Sequence, residues 1–330
     1  MMSFRKKAAI LSATAGLFAL FTALGIAFSP ESRNARTSRY RLLVSDPAEI
    51  HGLEIFGQEG SLIFRRFGPA WTLGDGGVQV PVRAERIEAY LQFLGSVRSL
   101  SEVSRTEKSW EDLGLDDASA RRIRLLLRDG TAAVDFRVGK YAPDGSRVFM
   151  RMEGNPRAYA APAAAALRLP SGRKAWMDLR VFGDPVPLED VRSFRVSGFL
   201  RFPDGSVFKS TYVLEQSLYG GWNSPQIPDP DSAAIGRLVR SWMNTEAEDF
   251  SASGLDEGPF LTVDLGLGGG EVRTIRISSN PDPEGWYRAA LVGSGRYFRM
   301  NALNLKDLVK NPGDLSHRSR HESTESGADK

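Results

Sequence analysis

The tripeptide Gly-Leu-Asp occurs twice, as Gly114-Leu115-Asp116 and as Gly254-Leu255-Asp256. A carboxylate beside a glycine can accept hydrogen bonds from a ligand, so Asp116 and Asp256 are candidates for a binding site. The pattern also makes a turn, because glycine adopts positive φ and aspartate caps nearby backbone N–H groups. A motif present in both halves of a chain suits architecture better than one active site. We therefore interpret both copies as turns.

Two other segments resemble motifs with known chemistry. Ser171-Gly172-Arg173-Lys174 fits the S-x-x-K pattern of serine acyltransferases, but neither Ser-Asp-Asn nor Lys-Thr-Gly occurs in the chain. Residues 266–270, Gly-Leu-Gly-Gly-Gly, lack the Lys-Ser/Thr of a P-loop and precede a strand pattern rather than a helix. The first segment is interpreted as a polar connection and the second as a hairpin turn.

Histidine and cysteine are scarce, which restricts the enzyme classes. The chain has three histidines, His51, His317 and His321, and no cysteine. His317 and His321 have the i,i+4 spacing of a zinc site on a helix, but they lie in a polar tail with no third ligand nearby. Without cysteine, disulfides, thiolate metal sites and cysteine nucleophiles are excluded. No metal and no cofactor is predicted.

Paired carboxylates give a further option. Glu111-Asp112 and Glu189-Asp190 are adjacent, and neighbouring side chains diverge on a helix and oppose each other on a strand. A glycosidase needs two carboxyl groups that face each other, which only the fold could supply, for instance through Asp116 and Glu153. A hydrolase or glycan-modifying enzyme acting outside the membrane stays open as an alternative. We assign no catalytic residue and predict that the chain is not an enzyme.

The six tryptophans are candidates for a carbohydrate or peptide groove. Trp71, Trp222 and Trp242 lie in apolar patterns and are expected in the core. Trp176 and Trp286 lie beside Arg/Lys-rich or Gly-rich segments and are expected to be exposed. A binding module for cell-wall glycan or peptide is therefore a third hypothesis.

The elements that would position these residues form a repeat. The two Gly-Leu-Asp motifs are 140 residues apart, and at the same offset Ile123, Leu125 and Leu127 fall on Val263, Leu265 and Leu267. Upstream the offset is 141, and Ile50, Leu53 and Ile55 fall on Val191, Phe194 and Val196. The two copies are expected to superpose from residues 50–159 onto 191–297, with Gly114 over Gly254 and Gly145 over Gly285.

Each copy has the same order of predicted elements. Alternating apolar residues predict strands at 53–57, 61–67, 71–73, 121–128, 132–138, 147–152 and 157–160 in the first copy, and at 191–196, 206–214, 261–267, 272–277, 285–291 and 297–300 in the second. Helical spacing predicts helices at 83–97, 161–167, 232–243 and 301–310. The predicted fold class is α+β, with two tandem copies of an antiparallel-sheet unit backed by a helix.

The first 28 residues predict a membrane anchor. Residues 8–28 form an uncharged run of 21 residues, long enough to span a bilayer of about 30 Å as a helix. A cleavable signal peptide is the competing interpretation, but its apolar core is usually only ~7–15 residues. We expect an uncleaved N-terminal transmembrane helix with its N-terminus in the cytoplasm, and the body outside the cytoplasmic membrane in the periplasm.

The charge distribution supports an anchor rather than a nucleic-acid binder. Up to Ser45 there are seven Lys/Arg residues and one acid, while the whole chain of 330 residues carries a net charge of only +3. The remainder is therefore slightly acidic, and no nucleic-acid partner is expected. With 42% hydrophobic residues the body has an ordinary globular composition. The predicted organisation is an anchor at 1–28, a basic juxtamembrane linker at 29–45, units at 46–185 and 186–312, and a disordered polar tail at 313–330.

The first copy contains a series of short segments in a fixed order: Gly60-Ser61-Leu62-Ile63-Phe64-Arg65-Arg66, Trp71-Thr72-Leu73, Pro81-Val82-Arg83-Ala84, Phe93-Leu94, Leu113-Gly114-Leu115-Asp116, Asp129-Gly130, Val138-Gly139-Lys140, Val148-Phe149-Met150-Arg151 and Tyr159. In this order and spacing, the segments resemble the bacterial family known as domain of unknown function 4340. The likeness covers most of residues 53–169 and recurs more weakly to about residue 308. The second copy departs from it at Gly221-Trp222-Asn223 and Ser279-Asn280.

The resemblance implies a single-pass envelope protein. Members of this family look like membrane-anchored proteins that are often encoded beside ABC-type transporters of the gliding-auxiliary kind, and the family brings no agreed catalytic residues. The expected function is therefore a non-catalytic accessory or scaffold component, with ABC-type permease and ATPase subunits as partners.

Overall fold

The computed structural model describes residues 37–38, 42, 45–75, 78–217, 220–255 and 257–317. The chain divides into two compact units, Met1–Met177 and Asp178–Lys330. The second unit starts at Asp178 rather than at residue 186, because the intervening segment is tied to it. The N–H of Ala247 donates to the Leu179 carbonyl at 2.8 Å, and the N–H of Val181 donates to the Thr245 carbonyl at 3.1 Å.

The predicted anchor, residues 1–28, lies outside the described residues. Within the part of the chain that the structure describes, no helix is long and apolar enough to cross a membrane. The predicted linker, residues 29–45, is described only in part. Thr37–Ser38 forms a short strand, β1, and Leu42 is fully buried, so these residues belong to the first unit rather than to a free linker.

The first unit contains a ten-stranded antiparallel sheet. Its strands after β1 are β2 (Gly52–Gly57), β3 (Gly60–Phe67), β4 (Ala70–Asp75), β5 (Val78–Pro81), β6 (Leu100–Ser104), β7 (Arg121–Leu126), β8 (Ala132–Tyr141), β9 (Arg147–Met152) and β10 (Ala158–Pro162). Its helices are α1 (Ala84–Ser96), α2 (Trp110–Leu113) and α3 (Ala164–Leu167). The spatial order of the strands is β1-β6-β10-β9-β8-β7-β2-β3-β4-β5.

The second unit contains an eight-stranded antiparallel sheet. Its strands are β11 (Val191–Arg201), β12 (Val207–Gln216), β13 (Trp222–Asn223), β14 (Asp249–Phe250), β15 (Phe260–Leu267), β16 (Val272–Ser278), β17 (Trp286–Leu291) and β18 (Arg296–Asn301), and its helices are α4 (Ser232–Met243) and α5 (Ala302–Leu308). Their order is β13-β12-β11-β15-β16-β17-β18-β14. Antiparallel sheets with a few helices make the fold α+β, as the sequence predicts.

Helix α4 shows how each unit builds its core. Asp231 caps the helix by accepting hydrogen bonds from the N–H groups of Ala233 and Ala234, as its position in the sequence predicts. The apolar face of the helix is buried, and the Trp242 ring lies 6.5 Å from the ring of Phe194 on β11. Burial of this face against the sheet stabilises the unit through the hydrophobic effect.

The two sheets have the same strand order. Read from the same end, β6-β10-β9-β8-β7-β2-β3-β4 corresponds to β14-β18-β17-β16-β15-β11-β12-β13. The buried apolar residues at the centre also share their register, with Leu53 opposite Leu125 and Ile55 opposite Ile123 in one unit, and Phe194 opposite Leu265 and Val196 opposite Val263 in the other. A slip of one residue would turn these side chains to water. Burial of the apolar side chains therefore fixes the register of the paired strands.

The correspondence is less complete in the turns. Gly145 and Gly285 both adopt positive φ, 70° and 87°, and each donates its N–H to the carbonyl three residues earlier. Gly114 has a φ of 65° and ends α2, whereas Gly254 is not in the left-handed region. The two glycines therefore differ in backbone conformation, because no helix equivalent to α2 precedes Gly254 among the described residues.

Residues 313–317 of the predicted tail are more ordered than the sequence predicts. The tail was expected to start at residue 313, but Pro312–Leu315 forms a 3-10 helix and Leu315 is buried. The physical reason is a capping box, in which Asn311 and Asp314 each accept a backbone hydrogen bond from the other. Ser316 then bridges to Pro230. Residues 318–330 lie outside the described residues.

Candidate functional site

The first Gly-Leu-Asp motif is a structural turn. Gly114 ends α2 in the left-handed conformation, and Leu115 is fully buried. Asp116 accepts hydrogen bonds from the N–H groups of Ala118 and Ser119, both at 3.0 Å. Hydrogen bonding from Ser119, with that from Ala118, holds the pKa of the Asp116 carboxyl below its ordinary value. This agrees with the interpretation of the motif as a turn, while Asp256 of the second motif lies outside the described residues.

Asp117, the neighbour of Asp116, shares two arginine partners with Glu153, the residue that the hydrolase hypothesis pairs with Asp116 as an example. Asp117 Oδ1 lies 2.9 Å from Arg151 and 3.2 Å from Arg137. Glu153 Oε2 lies 3.0 Å from Arg137 and 3.6 Å from Arg151. Two guanidinium groups therefore engage both carboxylates. Such an arrangement suits charge pairing rather than the acid and base roles of a glycosidase.

These arginines belong to a line of three on the outer face of the first sheet, which we call the arginine row: Arg122, Arg137 and Arg151. Arg122 lies opposite Arg137, and Arg137 lies opposite Arg151, on strands β7, β8 and β9. Like charges directly opposite each other destabilise a sheet unless they are compensated. The compensation comes from Asp117 and Glu153, and from a bidentate pair of Arg122 with Asp135 at 2.9 and 2.7 Å.

Arg151 is the most enclosed member of the arginine row, with a side chain only 3% exposed. Its Nε donates to the Leu115 carbonyl at 2.9 Å, and its guanidinium carbon lies 3.9 Å from the centre of the Trp110 ring. The ring contact is a cation–π interaction. Trp110 in turn donates its Nε1 proton to the Pro156 carbonyl. Arg151 therefore fixes the turn after α2 against the sheet.

A second line of charges runs beside the arginine row, and we call it the charge ladder: Arg65, Glu54, Arg124 and Asp135. Glu54 accepts from Arg65 at 2.7 Å and from Arg124 at 2.9 Å, and Arg124 Nε also lies 3.4 Å from Asp135. Signs alternate across strands β3, β2, β7 and β8. The ladder and the row together make the outer face of the first unit a continuous ion-paired surface.

A cleft of about 360 Å³ opens beside this surface. It is lined by Arg122 and Arg137 of the row, by Asp117, by Phe56 near the end of β2 and by the turn residue Gln58. Guanidinium groups and an exposed carboxylate give a cleft that can recognise charged groups of a partner.

The S-x-x-K segment lies at another cleft of about 370 Å³. Ser171 lines it together with Arg173, Arg121 and Ser119, whereas Lys174 is not among the lining residues. A serine nucleophile needs a base within hydrogen-bond reach, which is the role that the lysine has in this motif. The segment therefore remains a connection between the first sheet and the buried Trp176.

The other predicted candidates lie apart from one another. His51 Nδ1 donates to the Glu49 carbonyl, 3.0 Å away. His317 is exposed, and His321 is outside the described residues. Glu111-Asp112 and Glu189-Asp190 are exposed on a helical turn each. Gly268–Gly270 forms the turn between β15 and β16, as predicted. Among the described residues no group of three or more His, Asp or Glu could hold a metal ion.

The tryptophans divide differently from the sequence expectation. Trp71, Trp222 and Trp242 are buried, which confirms their predicted core positions. The prediction that Trp176 is exposed is wrong: its side chain is fully buried, 5.0 Å from the ring of Phe64, and its Nε1 donates to the Pro170 carbonyl. Trp286 is half-buried beneath Arg299, whose guanidinium carbon lies 4.9 Å from its ring. The prediction for Trp176 relied on the charged residues next to it in sequence, and these do not determine whether a side chain points into the core.

The charged surface itself was not predicted from the sequence. Its signal was present: Glu54, Arg122, Arg124, Asp135 and Arg137 occupy the alternate positions between the buried residues of their strands. To predict which charges pair on this outer face, one must know which strands are neighbours in the sheet. Strands β2 and β7 are adjacent in the sheet although Glu54 and Arg124 are 70 residues apart in sequence.

Comparison with known proteins gives one family. The family model described as a domain of unknown function (DUF4340) matches residues 71–257, which is more than half of the chain and extends over parts of both units. No curated protein matches the chain. The matched stretch includes the arginine row, α1 and α4, and in the second sheet it includes strands β11 to β14. By this match, the chain belongs to the DUF4340 family.

Proposed function

We propose that this protein is a non-catalytic envelope component, held in the cytoplasmic membrane by an N-terminal helix and presenting two tandem copies of one α+β unit on the periplasmic side. It would act as an accessory or scaffold subunit of an ABC-type transport system. The observation that carries the proposal is the common strand order and central register of the two sheets. Duplication of a whole architecture multiplies surface, and a single active site would not require it.

The roles of the candidate residues support a binding function. Asp116 serves a turn, Lys174 does not line the cleft that Ser171 lines, and Glu153 is engaged by two arginines. The charged groups of the first unit are arranged as a surface with a cleft rather than around a reacting centre. Charge patterns of this kind give specificity towards a protein partner.

The membrane anchor is proposed from the sequence. Residues 8–28 are uncharged and residues 5–7 are Arg-Lys-Lys, so a short basic head would stay in the cytoplasm while the body is exported. An anchor holds the two units near the membrane, where permease subunits of a transporter are accessible. Of the alternatives, a wall-binding module based on exposed tryptophans loses support, because Trp176 is buried.

The test is a pull-down from membranes solubilised in mild detergent, with the tagged full chain as bait and mass spectrometry as readout. ABC-type permease and ATPase subunits are expected in the eluate. The matched control is residues 1–45 fused to an unrelated soluble domain, which keeps the membrane segment and removes both units. Recovery of the bait alone, or equal recovery of transporter subunits with the control, would contradict the proposal.

A further inference from the structure

The hairpin of β11 and β12 is longer in the second unit than its counterpart in the first. Beyond the shared central pair, β11 and β12 continue to Arg201 opposite Val207, whereas β2 and β3 end at Gly57 opposite Gly60. On its other side, β12 pairs with β13 only at Glu215 and Gln216. Within the described ranges no strand covers residues 207–213 on that side, and we call this segment the open edge.

Alternate residues of the open edge direct their backbone groups away from β11. The N–H of Val213 donates to the side-chain oxygen of Gln226 at 3.0 Å, so at this residue the backbone faces the uncovered side. Alternate residues of an antiparallel strand direct their N–H and C=O groups the same way. Thr211, Lys209 and Val207 therefore also present theirs, along about 20 Å of strand. The intervening side chains, among them Phe208 and Tyr212, are buried, so the edge is held in place.

The sequence after β13 explains why the edge is uncovered. Pro225, Pro228 and Pro230 follow the two residues of β13. Proline has no N–H to donate, so this segment cannot continue a ladder along β12. The side chain of Gln226 satisfies one donor in place of a strand. In the first unit the counterpart of β13 is β4, which has six residues and is itself paired with β5.

Three cations lie on the outer face around the open edge, while Asp264 lies beside Arg195 and Glu215 lies at the end where β12 pairs with β13. On the outer face, Arg195 lies opposite Val213, Lys209 opposite Phe199, and Arg201 opposite Val207, and all three cations are exposed. Residues 195–201 and 207–213 contain no Asp or Glu. Asp264 on the next strand lies opposite Arg195 but accepts a hydrogen bond from Thr274. In the described part of the chain these three cations have no ion pair.

We infer that the open edge binds an extended, acidic segment of a partner protein, which adds to the second sheet as a strand. Its acidic residues would lie on the outer face near Arg195, Lys209 and Arg201, and its β-branched residues would extend the buried face. Strand addition of this kind obtains affinity from backbone hydrogen bonds and specificity from alternate side chains. A second copy of this chain is a poorer occupant, because two such edges would bring like charges together.

The inference rests on the proposed function and adds the chemistry of the partner segment. The probe is the fluorescent peptide Thr-Glu-Val-Glu-Val-Glu-Thr, added to the full chain in detergent micelles, with binding followed by anisotropy. Hydrogen exchange followed by mass spectrometry reports protection of residues 207–213. Two matched peptides serve as controls: one has Lys in place of Glu, and the other is N-methylated at alternate amides so that it cannot form the ladder.

Three variants test the edge. Thr211→Pro removes one edge-facing N–H and leaves the pairing with β11 intact, and we expect at least about tenfold weaker binding, close to the loss of one good contact. Lys209→Glu should lower affinity for the Glu peptide and raise it for the Lys peptide. Lys108→Glu, on an exposed turn of the first unit, is the matched charge control and should change neither. If Thr211→Pro does not fold, the test rests on Lys209→Glu, whose relative affinity for the Glu and Lys peptides still reports on the edge.

The proposal is overturned if the wild-type chain neither binds the Glu peptide nor protects residues 207–213, or if N-methylation has no effect. It is also overturned if the peptide binds only after residues 318–330 are deleted, because the chain's own terminus would then occupy the edge. The pull-down separates the two proposals. If transporter subunits are recovered but the peptide does not bind, the proposed function stands and strand addition at the open edge is contradicted. If the peptide binds but no transporter subunits are recovered, strand addition stands and the proposed function is contradicted.

Discussion

The inner faces of the two sheets agree, and their outer faces do not. At corresponding register positions the inner residues are apolar in both units. On the outer face, Arg65, Glu54, Arg124 and Asp135 of the charge ladder correspond to Glu215, Arg195, Asp264 and Thr274. The sign of the charge is reversed at the first three positions and lost at the fourth.

The arginine row diverges in the same way. Arg122, Arg137 and Arg151 correspond to Thr262, Arg276 and Ala290, so only one of the three arginines has a counterpart. Packing constrains the inner face, since a change of one methylene group is felt in a close-packed core. The outer face only has to stay soluble and pair its charges. The comparison therefore shows that the fold requires the apolar residues of the inner face, whereas the charged residues of the outer face are free to differ between the units.

The largest expected effect tests the shared inner face. Leu125→Ala and Leu265→Ala remove equivalent, fully buried side chains, and each should lower the free energy of unfolding by about 3 kcal/mol. Urea titration with hydrogen exchange of β7 and β15 measures each unit separately. Val207→Ala, at an exposed position, is the control. A cost below about 1 kcal/mol for one leucine only would break the equivalence of the two cores.

A second prediction concerns a position where the units differ. Gly139 in the first unit corresponds to Ser278 in the second by the register of β8 and β16. A Cβ on Gly139 would lie 2.4 Å from the Leu113 carbonyl oxygen, so Gly139→Ser should cost about 2 kcal/mol. Ser278→Gly should cost less, because the second unit has no described helix like α2 there. Thermal unfolding compares them, and equal costs would show that the close approach at Gly139 is not the cause.

A third prediction separates the two outer faces. The Glu54 side chain is 8% exposed and accepts from two arginines, so Glu54→Gln should cost about 1–3 kcal/mol by weakening both pairs. Its counterpart Arg195 is exposed and unpaired in the described part of the chain, so Arg195→Gln should change stability by less than about 0.5 kcal/mol. Chemical denaturation measures both. A similar cost for both variants would mean that the ladder adds nothing to the first unit.

The smallest expected effect is a pH dependence of the second unit. Burial opposes ionisation of Asp178, but the hydrogen bond from Arg180 and the charge of Arg296 outweigh it and lower its pKa. Because the folded pKa lies below the unfolded value of about 3.9, this stabilisation is complete above about pH 4 and is lost as the pH falls through the folded pKa. Asp178→Asn should flatten the pH dependence of Tm in the acid range. An unchanged acid profile would contradict the assignment.

Much of the fold could be predicted from the sequence. Periodicity predicted helices at 83–97 and 232–243, and the structure has Ala84–Ser96 and Ser232–Met243. The strand at Arg147–Met152 agrees at both ends. These elements carry their own signal, since one face of each is apolar and is bounded by polar residues or a cap.

The remainder depended on tertiary neighbours. Strands β5 and β6, Val78–Pro81 and Leu100–Ser104, were not predicted, because they are short and take their hydrogen bonds from adjacent strands. The two charged lines of the first unit were missed for the same reason. Their pairing depends on the order of strands in space, which repeats of apolar residues indicate only for the inner face.

The central pairing in each sheet has a consequence for how the protein folds. Strands β2 and β3, or β11 and β12, are hairpin neighbours, and so are the consecutive strands from β7 to β10 and from β15 to β18. Each unit thus contains two locally paired sets of strands that meet at one seam, β2 with β7 or β11 with β15. Strands β6 and β14 are added by separate long-range pairs with β10 and β18. Closing that seam brings together residues such as Glu54 and Arg124, 70 positions apart, at a large cost in chain entropy. We expect seam closure to limit the folding rate of each unit, and until then two apolar strand edges remain open to pairing with other chains.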